Sequence, residues 1–163
     1  QYKNMAKHNI LFVCLGNICR SAAAEAVMKK IVDDKGASAD FNIDSAGILN
    51  YHQGEHADPR MISFASRRGY DVTSISRPVK TADFDRFDLV IGMDNTNVDD
   101  LYDRAATAEH TKKIHKMTEF CRNFTNDYVP DPYYGGADGF ELVLDLLEDA
   151  CEGLYETLKD GKL

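Results

Sequence analysis

Eight residues, Cys14-Leu15-Gly16-Asn17-Ile18-Cys19-Arg20-Ser21, constrain this chain more than any others. An apolar run, Ile10-Leu11-Phe12-Val13, precedes them, and an alanine-rich stretch from Ser21 to Val32 follows. The order reads strand, tight turn, helix, with a thiol where the strand ends and a guanidinium where the helix begins. The first turn of a helix carries unpaired N–H groups and a partial positive charge, which makes it an anion site. Gly16 and Asn17 tolerate left-handed backbone angles, so the loop can curl with its N–H groups turned inward. A thiol in such a nest is expected to ionise below the free value of ~8.5. Arg20 adds a planar fork that matches two oxygens of a phosphoryl group. Thiolate, guanidinium and amide nest on one loop point to attack of sulfur on phosphorus.

Composition narrows the setting. The 163 residues fit one domain, and 44% hydrophobic residues suffice for a core. No run reaches the ~18 apolar residues of a membrane helix, and no secretory signal is visible. The net charge of −8, with no basic patch, argues against nucleic acid. Cys14, Cys19, Cys121 and Cys151 form no C-x-x-C pair, so a reducing cytoplasm is the expected compartment. Residues 1–8 read as an N-terminal extension or expression remnant, because Gln1 to Asn4 precede Met5. Residues 9–163 read as the domain.

Within that domain, strands alternate with helices. Strands are expected near 10–13, at Phe41–Gly47, over Phe87–Met93 and, weakly, over Lys113–Met117. A helix capped by Asp58 with Pro59 at its first position should run to about Arg68, and another should follow Asp94. The last helix places Phe140, Val143, Leu144, Leu147, Cys151, Leu154 and Leu158 on one face, and Asp138 with Glu141 reads as its capping box. The pattern is that of an open α/β sheet with right-handed crossovers. Ligands of such sheets bind beyond the carboxyl ends of the strands, where Cys14 stands.

Asp131 lies in Val129-Pro130-Asp131-Pro132-Tyr133-Tyr134-Gly135-Gly136, a loop of chain breakers in which Pro132 holds Asp131 extended. Histidines 8, 110 and 115 read as surface residues. Gly54 between His52 and His56 speaks against a helical metal pair, and neither metal nor cofactor is expected.

The run Cys14-x5-Arg20-Ser21 after an N-terminal strand resembles the signature of the low-molecular-weight protein tyrosine phosphatases, and Asp131-Pro132-Tyr133-Tyr134 resembles that family's acid loop. The resemblance implies a single three-layer α/β domain: four parallel strands, helices on both faces, and a phosphate-binding loop after the first strand. It implies Cys14 as nucleophile, Arg20 and the loop Leu15, Gly16, Asn17, Ile18, Cys19, Arg20 and Ser21 as phosphate binder, and Asp131 as general acid and then base. Ser21 would hydrogen-bond the sulfur. Asn17, Ser45 and Asp94 would support the loop, and Ile18, Tyr51, Tyr133 and Tyr134 would line the substrate pocket. Cys14 and Cys19 form the expected redox pair. Two positions depart from the family: Ser74 stands where a histidine is usual, which puts loop rigidity in question, and Tyr51 where tryptophan is common.

The implied function is hydrolysis of phosphotyrosine monoesters through a cysteinyl phosphate. The partner would be a phosphotyrosine-containing protein, with a tyrosine kinase as a candidate, and a monomer is expected. Two other readings share the fold or its design. A protein arginine phosphatase would prefer Thr at the position of Ile18. A non-enzymatic phosphocysteine carrier would need neither Arg20 nor Asp131. Arsenate reduction would need cysteines where Cys121 and Cys151 do not stand.

Overall fold

The computed structural model describes residues 6–163, so the remnant assigned to residues 1–4 lies outside it. Four strands, β1 (His8–Cys14), β2 (Phe41–Gly47), β3 (Leu89–Gly92) and β4 (Ile114–Lys116), form one parallel sheet in the order β2-β1-β3-β4. β1 begins at His8, inside the stretch read as an extension. It is paired on both sides, with Ile10 opposite Ile43 and Leu89, and Cys14 opposite Gly47.

Both faces of β1 are covered, which is why its sequence is a continuous apolar run and not an alternation. Ile10, Phe12 and Cys14 join a core with α1 (Arg20–Asp34), α2 (Pro59–Ser66) and α6 (Ala137–Lys159). Leu11 and Val13 join a second core with Phe84 of α3 (Asp83–Arg86), Phe87, Val90 and Leu101 of α4 (Asn95–Arg104). Each large side chain so buried contributes about 2 kcal/mol. This is the three-layer architecture expected.

α1 is buried continuously from Arg20 through Met28, beyond the single stripe expected, because its alanines let neighbouring elements approach on several sides. Asp58 caps α2 as expected, its carboxylate accepting the Arg60 amide, but the helix ends at Ser66, before the left-handed Gly69.

The capping box at α6 is not formed. Gly136 is the N-cap without a side-chain bond, and Asp138 lies inside the first turn. Glu141 pairs instead with Arg68, which also reaches Asp145 and Glu148 along α6. Farther along, a Cβ at Gly153 would collide with the Phe120 carbonyl oxygen, so α6 and the 117–120 turn meet backbone to backbone. His110, read as a surface residue, is buried in α5 (Ala108–Thr111). It stacks on Phe84 and lies 2.7 Å from Asp85.

Candidate active site

The loop after β1 is held from three sides. Behind it, the Leu15 carbonyl accepts the Leu49 amide, and Gly47 touches the Leu15–Gly16 backbone so closely that a Cβ there would sit 3.1 Å from it. Asn17 supplies the curl, with φ of 59°, the one non-glycine residue among those described with a positive φ. On the far side the Ile18 carbonyl accepts the Asp58 amide at 2.9 Å, tying the loop to the start of α2.

Asn17 also organises a polar chain. Its amide nitrogen donates to Ser21 Oγ at 2.8 Å and to Ser45 Oγ at 3.0 Å, while its oxygen accepts the Arg77 amide. Each serine oxygen thus receives a hydrogen and must aim its own elsewhere. Ser45 donates to Glu25 at 2.6 Å. Ser21 Oγ lies 3.0 Å from Cys14 Sγ and 3.5 Å from the Ala46 carbonyl, so the sulfur is its nearer neighbour. Lys29 closes the chain on Glu25 at 2.6 Å.

The expected partners Asn17, Ser21 and Ser45 are therefore together. Ser74 is not among them, and its Oγ has no hydrogen-bond partner among the described residues. Ser76 takes the nearby place instead, donating to the Gly16 carbonyl at 3.0 Å. Other contacts thus hold the loop where Ser74 does not. Glu25 was missed at the sequence level. Its signal was present, a carboxylate four residues after Ser21 on an alanine-rich helix, hence on the Ser21 face.

Arg20 is 2% exposed and donates to Asp94 at 2.6 Å and to the Val129 carbonyl at 3.0 Å. Burial alone would lower its pKa. Cys14 and Asp94 outweigh that, and the guanidinium is held charged even more firmly than usual. Asp94 serves twice, because its other oxygen caps α4 on the Asn97 amide. Arg20 Nη2 lies 3.7 Å from Asp131 Oδ2, and Asp131 Oδ1 accepts the Tyr133 amide.

Cys14, Ile18, Cys19, Arg20 and Asp131 converge on one cavity of about 270 Å³, with Tyr51, Tyr133 and Tyr134 among its walls. Tyr133 and Tyr134 meet edge to face at 4.9 Å, and Tyr134 is 92% exposed, so it stands as a rim more than a wall. Leu49 and His52 also line the cavity and were not anticipated. His52 turns one ring nitrogen to Glu55 and packs against Tyr51 and Tyr133. Cys19 is buried beneath the loop. Burial pushes its thiol pKa up, and the neighbouring Asp58 and Cys14 add to the effect.

With nucleophile, cation and carboxylate so arranged, similarity to known proteins is informative. The family model for low molecular weight phosphotyrosine protein phosphatase matches residues 9–162. A low molecular weight protein-tyrosine-phosphatase of Streptomyces coelicolor is 37% identical over 155 residues, 94% of either chain. A protein tyrosine phosphatase structure from Entamoeba histolytica is 51% identical, with a TM-score of 0.94 over 96% of this chain and 99% of that one. A Drosophila arginine phosphatase has a TM-score of 0.86 at 29% identity, over 92% of this chain and 97% of that one. On the match across residues 9–162 and this shared architecture, the chain belongs to the low molecular weight phosphotyrosine protein phosphatase family.

Proposed function

We propose that the protein hydrolyses phosphotyrosine monoesters by two displacements at phosphorus. In the first, Cys14 Sγ attacks, the S–P bond forms, and the phenol leaves with a proton from Asp131. In the second, the Asp131 carboxylate takes a proton from water as that water attacks, and the S–P bond breaks. Arg20 and the loop amides hold the phosphoryl oxygens through both steps. Ser21, whose Oγ lies 3.0 Å from the sulfur, donates its hydrogen to the departing thiolate. The observation that carries this reading is the convergence of Cys14, Arg20 and Asp131 on one cavity, with Arg20 oriented by Asp94.

The choice of tyrosine rests on shape. The sulfur stands at the base of a cavity walled by Ile18, Tyr51 and Tyr133, and a long flat ring reaches it where a short phosphoserine stem does not. Against phosphoarginine stands Ile18, at the position where an arginine phosphatase would prefer Thr. The natural partner is read as a phosphotyrosine-containing protein, with a tyrosine kinase as a candidate. The protein is read as a monomer of a reducing cytoplasm, a setting supported by four free cysteines.

Matched peptides carrying each phosphoresidue test the assignment. Phosphotyrosine should lead phosphoserine, phosphothreonine and phosphoarginine by tenfold or more in kcat/KM, a preference of about 1–3 kcal/mol. A phosphoarginine value equal to or above phosphotyrosine would overturn it. Cys14→Ser should bind phosphate and turn over nothing. Asp131→Ala should lose ~10²–10⁴ in kcat/KM on phenyl phosphate and far less on 2,4-dinitrophenyl phosphate, whose leaving group needs no proton.

A further inference from the structure

We propose that Arg60 is a positioning residue for Asp131, holding the acid loop in register with the phosphate loop; this rests on the reading of Asp131 as the general acid. Arg60 is the second residue of α2, and 44% of its side chain is exposed. An arginine so placed contributes little to stability through its ion pair alone. Its contacts, however, point in one direction.

The guanidinium is gripped by Asp58, with Nε 3.1 Å from Oδ1 and Nη2 2.8 Å from Oδ2. It lies over two rings, 4.9 Å from the centre of Phe140 and 5.5 Å from that of Tyr133. Carboxylate and rings together fix both its place and its plane. From there Nη2 donates to the Tyr133 carbonyl at 2.8 Å. Among the described residues this is the one hydrogen bond that reaches residues 131–135 from another element.

The bond lies on a continuous path between the two reacting groups. The Asp58 amide is bound to the Ile18 carbonyl of the phosphate loop. The Asp58 carboxylate holds Arg60, Arg60 holds the Tyr133 carbonyl, and the Tyr133 amide holds Asp131 Oδ1. That last bond leaves Oδ2 on the side of Arg20 and the cavity. Without Arg60, the residues between Pro130 and α6 keep local turn contacts, such as Gly135 to the Pro132 carbonyl, and the 3.7 Å approach of Asp131 to Arg20, but lose their hydrogen-bonded tie to the loop that carries the nucleophile. An error of about 1 Å in the acid's position is enough to cost a large factor in rate.

The test is the slope of log kcat/KM against leaving-group pKa, because that slope reads proton donation and not folding. Arg60→Met should lower kcat/KM on phenyl phosphate by about tenfold while changing 2,4-dinitrophenyl phosphate less than twofold. Arg60→Gln, which keeps a donor but not the fork, provides a second variant if the methionine protein is poorly folded, and should show the same steepening. In an Asp131→Ala background, Arg60→Met should cause no further loss on phenyl phosphate. Equal losses on both esters, or a full further loss in the Asp131→Ala background, would overturn the proposal. If Asp131→Ala leaves the slope unchanged, the failure lies with the assignment of the acid instead.

Discussion

Asp94 divides its carboxylate between Arg20 and its own helix: Oδ2 lies 2.6 Å from the guanidinium, and Oδ1 accepts the Asn97 amide at 2.8 Å. One side chain thus aims the buried cation and starts α4. Asp94→Ala should cost about 1 kcal/mol from the lost cap alone. Asp94→Asn keeps an oxygen for the cap and should cost less. Both should lower kcat/KM by about tenfold, because a guanidinium free to swing loses its two-pronged grip on the transition state. Inorganic phosphate, which needs only net positive charge, should bind either variant no more weakly than the parent. A full-speed Asp94→Ala would show that Arg20 is aimed by Val129 alone.

Ser74 offers a contrary case. Its hydroxyl is buried without a partner among the described residues, and such a group stabilises nothing. Ser74→Ala should leave kcat and KM unchanged and stability equal or higher, by up to about 1 kcal/mol. By contrast Ser76→Ala, which frees the Gly16 carbonyl, should destabilise by about 1 kcal/mol. Thermal unfolding of the two variants side by side decides; a less stable Ser74→Ala would restore that residue to the loop's support.

Asp149 gives the pH dependence a sign. Burial would raise its pKa, but the amides of Phe124, Asn123 and Arg122 all donate to its carboxylate and hold it below the usual range. A group lowered in the folded state contributes stability above its unfolded value of ~3.9, and that contribution disappears as pH falls through the folded value. Asp149→Asn should therefore be less stable than the parent near neutrality, by about 1–2 kcal/mol, and the gap should close in acid. A gap that persists undiminished to pH 2 would mean the loss is one of packing.

Peroxide should act on Cys14 before Cys19. Both line the cavity, but burial beside Asp58 keeps the Cys19 thiol protonated. Peroxide converts Cys14 to a sulfenic acid. The Cys19 sulfur can then displace its oxygen as water, which carries off the thiol hydrogen, and leave a disulfide. Dithiothreitol should restore activity, while Cys19→Ser should pass on to irreversible sulfinic acid. Peptide mapping that finds sulfinic Cys14 and no Cys14–Cys19 bond in the parent would reject this.

What could be read before the fold was known was whatever the chain keeps local. Strand, curl and helix around Cys14 lie within one short segment, and Asp131 is marked by the prolines on either side of it. Asn17 and Ser45 were paired by the family resemblance, and they meet because adjacent parallel strands bring their carboxyl ends together. Arg60 and Ser76 left no such trace, because their partners, Tyr133 and Gly16, lie 73 and 60 residues away in the chain. His52 was weighed only as a metal ligand, although a loop that closes over a cavity can bring a ring to its wall. The supposed box of Asp138 and Glu141 failed for a related reason: Arg68, 73 residues from Glu141, took that carboxylate. Local pattern shows what a residue can do, and distant neighbours decide whether it does so.

The two-sided pairing of β1 has a consequence for the order in which the molecule comes apart. Interior strands, hydrogen-bonded along both edges, open only when the whole domain does, whereas segments with few ties open first. Cys14 ends an interior strand, and Asp131 sits on a segment tethered by a few bonds. Under mild denaturation the two halves of the site should separate in time. Amide exchange along Ile10–Val13 should remain slow while residues 131–136 already exchange freely. In that interval the protein would still capture phosphate, yet accept the phosphoryl group only from esters whose alcohol departs without help, and release it from Cys14 slowly.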